Sequence, residues 1–146
     1  MTQESAVAFA KRCWPGFVIG LFLAVGTFGC SERKIFPVSG QIVDRAGNPI
    51  TTMKGGAVEF ESLDHKSSAN GSIDENGNFK LTTKNPGDGA HVGKNRVLIM
   101  RPYIGADQPS PHVLHPRYES QEATDLFVDV EPKDNVVTLT VDRYKK

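Results

Sequence analysis

Two histidines, His112 and His115, are the residues whose type and spacing come closest to a metal site in this sequence. Asp107 and Glu119 lie nearby and would add carboxylate ligands. Zinc sites need three or four ligands in a defined geometry, usually fixed by a helix or a tight loop. Four prolines fall between positions 102 and 116, so we expect a solvated loop here. Metal binding or hydrolysis centred on His112 and His115 remains the alternative interpretation.

The other motifs with recognisable chemistry are incomplete. Residues 74–78 read Asp-Glu-Asn-Gly-Asn, which lacks the spacing of a calcium loop and its distant bidentate glutamate. The glycine-rich stretch 87–93 is not followed by Lys-Ser/Thr, and we expect no helix after it, so it is not a phosphate cradle. No Gly-x-Ser-x-Gly sequence marks a nucleophile. We therefore predict no catalytic residue, no metal and no cofactor. We expect His91, which lies in the glycine-rich turn, to be exposed.

Composition limits the class of partner and the size of the fold. The chain has 146 residues, a single-domain length, and balances 17 Lys and Arg against 17 Asp and Glu. A formal charge of zero gives no electrostatic reason to propose nucleic acid as a partner. Fourteen glycines and nine prolines favour many short strands joined by turns.

The N-terminal segment has the three parts of an export signal. Lys11 and Arg12 form a positive flank, and the 17 residues from Trp14 to Cys30 carry no charge. The strongly apolar part covers nine residues, whereas a membrane-spanning helix needs about 20. A positive flank, a short apolar region and a small residue before the cut are typical of a secretory signal. We predict a signal peptide over residues 1–29.

The tetrapeptide at 27–30, Thr-Phe-Gly-Cys, resembles a bacterial lipobox. Such a motif needs a thiol that carries the lipid and a small residue before it for the peptidase, and Cys30 and Gly29 meet these needs. Thr27 and Phe28 depart from the usual pattern, so cleavage elsewhere or an uncleaved anchor stays open. We predict lipid attachment at Cys30 and a short tether over residues 30–35. The mature chain then has no second cysteine, which excludes a disulfide within it.

The rest of the chain alternates apolar and polar residues between dense turn signals. Seven candidate strands follow, at spacings typical of a sandwich. The clearest hairpin runs from Ser68 to Thr83 around Asn76-Gly77, because both residues tolerate a positive φ. The proline-rich segment from Pro102 to Tyr118 is excluded from a central strand. It is the best candidate for a binding surface, and the alternative is a loop that covers a sheet edge.

The order of these motifs resembles the carboxypeptidase regulatory-like, or transthyretin-like, sandwich. The resemblance covers roughly residues 36–143 and rests on turn glycines and core residues: Val38–Asp44, Gly47–Ile50, Gly56–Phe60, Gly71–Leu81 and Gly89–Ile99. It implies an all-β, seven-stranded antiparallel β-sandwich with Greek-key connections over residues 36–146. One departure is Asn95, where the family usually has an aromatic, and we expect Tyr103 or Phe127 to fill the gap.

The resemblance implies a fold and no activity. One enzyme of this fold, the hydroxyisourate hydrolase, ends in Tyr-Arg-Gly-Ser, and this chain ends in Val141-Asp-Arg-Tyr-Lys-Lys instead. We therefore predict a non-enzymatic module that is exported and anchored through Cys30 on the periplasmic or outer face of a bacterial envelope. It would contact another envelope protein or a glycan. A purely structural envelope component is a third hypothesis, and the ligand, the leaflet and the oligomeric state stay open.

Overall fold

The computed structural model describes residues 34–105 and 108–145. The predicted signal peptide and Cys30 lie outside the described residues, as does Asp107. Within the described part, no helix is long and apolar enough to span a membrane.

Short strands dominate the described chain, and its helical content is limited to two 3-10 turns at Thr51–Met53 and Pro116–Glu119. The strands are β1 (Ile35–Phe36), β2 (Val38–Asp44), β3 (Ala57–Ser62), β4 (Ser68–Ser72), β5 (Asn78–Lys80), β6 (Ala90–His91), β7 (Gly93–Met100), β8 (Tyr103–Ile104), β9 (Gln108–Pro109), β10 (Phe127–Val130) and β11 (Asn135–Val141). The predicted all-β class is confirmed.

Two larger sheets hold most of these strands. One has the order β10-β7-β3-β4 and the other the order β11-β2-β5, while β1-β6 and β8-β9 form two-residue ribbons. Seven strands belong to the larger sheets, and four two-residue strands bring the described residues to eleven strands, more than the seven expected. All pairs are antiparallel except β2 with β11, which run parallel over seven residues. This pair corrects the expected wholly antiparallel arrangement, because the last strand, β11, returns beside β2 in the same direction.

The two larger sheets pack face to face around one core. Phe60 of β3 and Phe79 of β5 come from different sheets, and their ring centroids are 6.2 Å apart. Alternation along each strand produces this core, since Val58 and Phe60 are fully buried while Glu59 between them is not. Ile73, Phe79 and Leu81 are also buried. The result is a sandwich-like all-β domain.

The predicted hairpin from Ser68 to Thr83 is only partly correct. The turn exists, because Asp74 donates to Asn78 across it, and the ends meet where Asn70 and Thr82 exchange two hydrogen bonds. Between these points the strands separate: β4 pairs with β3, whereas β5 pairs with β2. The Asn-Gly turn therefore passes the chain from one sheet to the other. β4 forms five residue pairs with β3, and β5 forms three with β2, whereas the two hairpin strands share a bridge only at Asn70 and Thr82.

Two turns are built in the same way from the same sequence, Asp-x-x-Gly-Asn. In the first, the Asp44 carboxylate accepts from the backbone N–H groups of Ala46 and Asn48, at 3.0 and 2.9 Å. In the second, Asp74 accepts from Asn76 and Asn78, both at 2.8 Å. The intervening glycines have φ of 84° and 77°, a region that favours glycine. An ionised carboxylate therefore closes each turn.

Candidate functional site

The proline-rich segment after β7 divides into an exposed half and an anchored half. Leu114 and Tyr118 are buried in the core and hold the second half against the sandwich. Tyr118 lies in the 3-10 turn Pro116–Glu119, which His115 caps by accepting at Nδ1 from the Arg117 N–H at 3.3 Å. Proline suits the first position of such a turn, because its N–H would have no partner there. The second half therefore packs on the core, and the first half leaves its side chains exposed.

The exposed half carries an apolar surface, which we call the ribbon patch (Met100, Tyr103, Ile104 and Pro109). The side chains of Tyr103 and Ile104 are 68% and 58% exposed. They lie in β8, which pairs only with the two-residue strand β9. Successive side chains of a strand point to opposite faces, so Tyr103 and Ile104 expose apolar surface on both faces of the ribbon.

A small polar cluster borders the ribbon patch. The Glu119 carboxylate lies 3.3 Å from Nε of Arg101 and 3.5 Å from Nδ1 of His112. Arg101 also donates to the carbonyl of Ser110 at 3.0 Å, which ties the returning chain to the end of β7. A pocket of about 250 Å³ opens between Met100, Arg101, Tyr103, Pro109 and Glu119. The pocket is thus lined by three apolar or aromatic side chains together with the charged groups of Arg101 and Glu119.

The two histidines of the predicted alternative have different neighbours. His112 faces Glu119 and stacks near Tyr144, with ring centroids 5.6 Å apart, while the ring of His115 caps the 3-10 turn. Across residues 34–105 and 108–145, no three His, Cys, Asp or Glu side chains are grouped so as to hold a metal ion. Of the ligands considered from the sequence, Asp107 falls outside this range.

His91 departs from the expected exposed position. It lies in β6, and its ring stacks against His65 with centroids 4.7 Å apart. Its Nδ1 atom is buried, with no hydrogen-bond partner among the described residues. Burial, followed by the positive neighbours His65, Lys84 and Lys34, lowers the pKa of His91. His91 is partly covered because it lies in the paired strand β6 and against His65, which belongs to the loop after β3.

Asn95 is buried and needs no aromatic to fill its place. Its side-chain amide donates to the carbonyls of His91 and Gly93, at 2.9 and 2.8 Å. Tyr103 and Phe127 were expected to fill a gap here, but they are 68% and 44% exposed instead. That expectation was wrong because the position closes a turn with hydrogen bonds rather than packing a hydrophobic layer.

A second polar cluster, absent from the sequence analysis, lies at the end of β11. Asp142 forms ion pairs with Arg45 and Arg117, and its backbone N–H donates to the hydroxyl of Tyr118 at 3.0 Å. The hydrogen bond from Arg45, with its charge, lowers the pKa of Asp142. A pocket of about 210 Å³ lies beside these residues. The partners come from positions 45, 117, 118 and 142, so no local sequence signal could have grouped them.

Comparisons with known proteins add little to this geometry. No family model and no curated protein matches the sequence. Among solved structures, the chain is similar to the major pilin subunit of Bacillus cereus, with 17% identity and a TM-score of 0.42. The match covers 77% of this chain but spans only 30% of the pilin chain. Similarity at this level carries no argument about function, and the resemblance to the carboxypeptidase regulatory-like sandwich stays a prediction.

Proposed function

We propose that this chain is a non-catalytic contact module of a bacterial cell envelope, held to a membrane through Cys30. The ribbon patch is the surface through which it binds another envelope protein or a glycan. The polar cluster of Arg101, Glu119 and His112 contributes hydrogen bonds at the rim.

The exposure of Tyr103 and Ile104 is the observation that carries this proposal. An aromatic ring that presents both an apolar face and a hydroxyl suits a protein surface or the face of a sugar ring. Arg101 and Glu119 are both mostly covered, with 22% and 29% of their side chains exposed, so their positions are fixed. A rigid polar rim around an apolar centre is the usual anatomy of a contact surface.

The anchor is tested by metabolic labelling of the full chain with palmitate in a bacterial host. Wild-type chain should incorporate the label, and the Cys30→Ala variant should not. A Cys13→Ala variant is the matched control and should label like the wild type. Label that survives in Cys30→Ala contradicts the anchor.

The contact surface is tested by placing a photoreactive phenylalanine analogue at Tyr103 in the full chain and irradiating whole envelopes. We expect discrete adducts at this position and none when the analogue replaces Lys80, an exposed residue of β5. An added Ile104→Ser change should weaken the adducts. Equal adducts at the two positions, or none at Tyr103, contradict the proposal, as would one equivalent of zinc bound to the purified chain.

A further inference from the structure

The loop at residues 63–67, which joins β3 to β4, packs against the β1-β6 ribbon through two histidine rings. His65 of the loop and His91 of β6 have ring centroids 4.7 Å apart, with an angle of 34° between the ring planes. In the ribbon, Ile35 of β1 lies opposite His91, and the N–H of Val92 donates to the carbonyl of Lys34 at 2.8 Å. This pair of rings, the histidine contact (His65 and His91), therefore joins the loop to the ribbon that contains the first strand of the described chain.

The loop itself combines a few hydrogen bonds with a strained backbone. The N–H of Leu63 donates to the carbonyl of Lys94 at 3.1 Å, and the N–H of His65 donates to the hydroxyl of Ser62 at 3.2 Å. Lys66, the next residue, has a φ of 46°, a left-handed conformation that is unfavourable for a residue other than glycine. Contacts of the loop with the rest of the domain must offset this strain, and the ring of His65 supplies one of them.

The surroundings of His91 favour its neutral form. Its Nδ1 atom is buried and has no hydrogen-bond partner within the part of the chain that the structure describes, so a proton there would be a buried donor without an acceptor. Burial lowers the pKa of His91 most, and the neighbouring His65, Lys84 and Lys34 lower it further. Asp88 acts in the opposite direction and more weakly.

Two carboxylates also border the histidine contact. Asp88 belongs to the loop before β6, and Asp64 belongs to the same loop as His65. A carboxylate oxygen of Asp64 lies 2.9 Å from the point that a Cβ atom of Gly93 would occupy. These anions do not reverse the influence of burial and of the nearby cations, because the pKa of His91 is lowered despite them.

We infer that the histidine contact is an acid-sensitive switch, which holds the loop 63–67 on the β1-β6 ribbon in neutral solution and releases it when the two rings are protonated. A histidine whose pKa is lower in the closed form than in the open form binds its proton more readily after opening. Closure is therefore fully present above about pH 6.5 and is lost as the pH falls below that value. Two protonated rings at this separation also repel each other. The inference depends neither on Cys30 nor on the ribbon patch.

Amide hydrogen exchange of the full chain in detergent, followed by NMR at low salt, tests the switch. The range from about pH 7.5 to about pH 5 is suitable, because aspartate and glutamate stay mostly ionised there. After correction for the direct effect of pH on exchange, protection of the Leu63 amide should fall at least about threefold, the factor expected when two unit charges repel at 4.7 Å in water. The amide of Asn70, which donates to Thr82, is the reference and should keep its protection.

Three variants separate the charge from the ring. His65→Phe keeps an aromatic ring without a charge, so its Leu63 amide should stay protected throughout the range. His65→Lys keeps a cation and loses the ring, so its Leu63 amide should be weakly protected even at neutral pH. His115→Asn is the matched control, because it removes a histidine that caps the 3-10 turn outside the contact, and it should respond to acid like the wild type.

Two results would overturn the inference. The first is a Leu63 amide in the wild-type chain whose corrected protection does not change across the range. The second is a His65→Phe variant that responds to acid as the wild type does, because the opening would then come from another titrating group.

Discussion

At the scale of the single residue, the buried amide of Asn95 holds the turn that leads into β7. Asn95 is 1% exposed, and its two N–H groups serve the carbonyls of His91 and Gly93. An intramolecular hydrogen bond contributes about 0.5–1.5 kcal/mol to stability, and Asn95 donates two of them. This turn fixes where β7 begins. The residues of the ribbon patch lie at the end of β7 and in the two short strands that follow it.

We expect Asn95→Ala to lower the free energy of unfolding by about 1–3 kcal/mol, since it removes the two hydrogen bonds that the buried amide donates to His91 and Gly93. Asn95→Tyr, the residue class typical of the resembling family, should destabilise the domain as well. Asn70→Ala is the control: its side chain is exposed, and the change should stay within about 0.5 kcal/mol. Urea unfolding followed by far-UV circular dichroism measures all three. A stabilising Asn95→Tyr change would show that packing governs this position.

At the scale of the element, β2 is packed too closely on both sides to accept a side chain at Gly40. A Cβ atom placed there would come within 2.7 Å of the Phe79 ring and would also meet the backbone of Val137. Gly40 lies between β11 and β5 in the register of the sheet. The missing side chain lets the Phe79 ring lie over the strand and reach the core.

We expect Gly40→Ala to destabilise the domain by about 1–3 kcal/mol, because overpacking forces neighbouring groups to move. Gly47→Asn is the control, at an open position where asparagine tolerates the left-handed backbone. That change should cost less than about 1 kcal/mol. Thermal unfolding of the two variants beside the wild type gives the comparison, and equal losses would contradict a packing origin.

Local features of the strands and turns could be predicted from the sequence, and long-range pairing could not. Val58, Phe60 and Leu81 alternate with polar residues along the sequence and are buried, as a strand pattern predicts, and Asn76-Gly77 correctly marked a turn. These signals act over a few residues. Which strand lies beside β5 depends on the competing surfaces of β2 and β4, and no local pattern encodes that competition. The same holds for the site: the proline-rich segment was found, but the partners of Asp142 were not.

At the scale of the whole molecule, three carboxylates close three loops and so link the stability of the domain to pH. The pKa of Asp44 is lowered chiefly by the N–H of Asn48, and that of Asp74 by the N–H of Asn78. Burial opposes the ionisation of Asp88, but the N–H groups of Thr83, Asn85 and Lys84 together lower its pKa. Each group favours the ionised form more in the folded chain than in the unfolded chain.

We therefore expect the domain to lose stability in acid. The unfolded state, with aspartate pKa near 3.9, binds more protons than the folded state, so the stabilisation is present above about pH 4 and is lost as pH falls through the lower folded values. Asp74→Asn should reduce the dependence of unfolding free energy on pH. Glu75→Gln, in an exposed pair with Lys54, should not. Urea midpoints between about pH 2 and pH 6 test this, and an unchanged slope in Asp74→Asn would contradict it.

The parallel pairing of β2 with β11 also determines how the domain responds to mechanical force. β2 begins near the N-terminal end of the described chain and β11 ends near its C-terminal end, and the two strands run in the same direction. A pull on the two ends of the chain therefore slides the strands along each other. Their seven residue pairs bear the load together, whereas a hairpin pulled from its open end separates one pair at a time. We therefore expect the domain to resist a pulling force that is applied along the direction of β2 and β11.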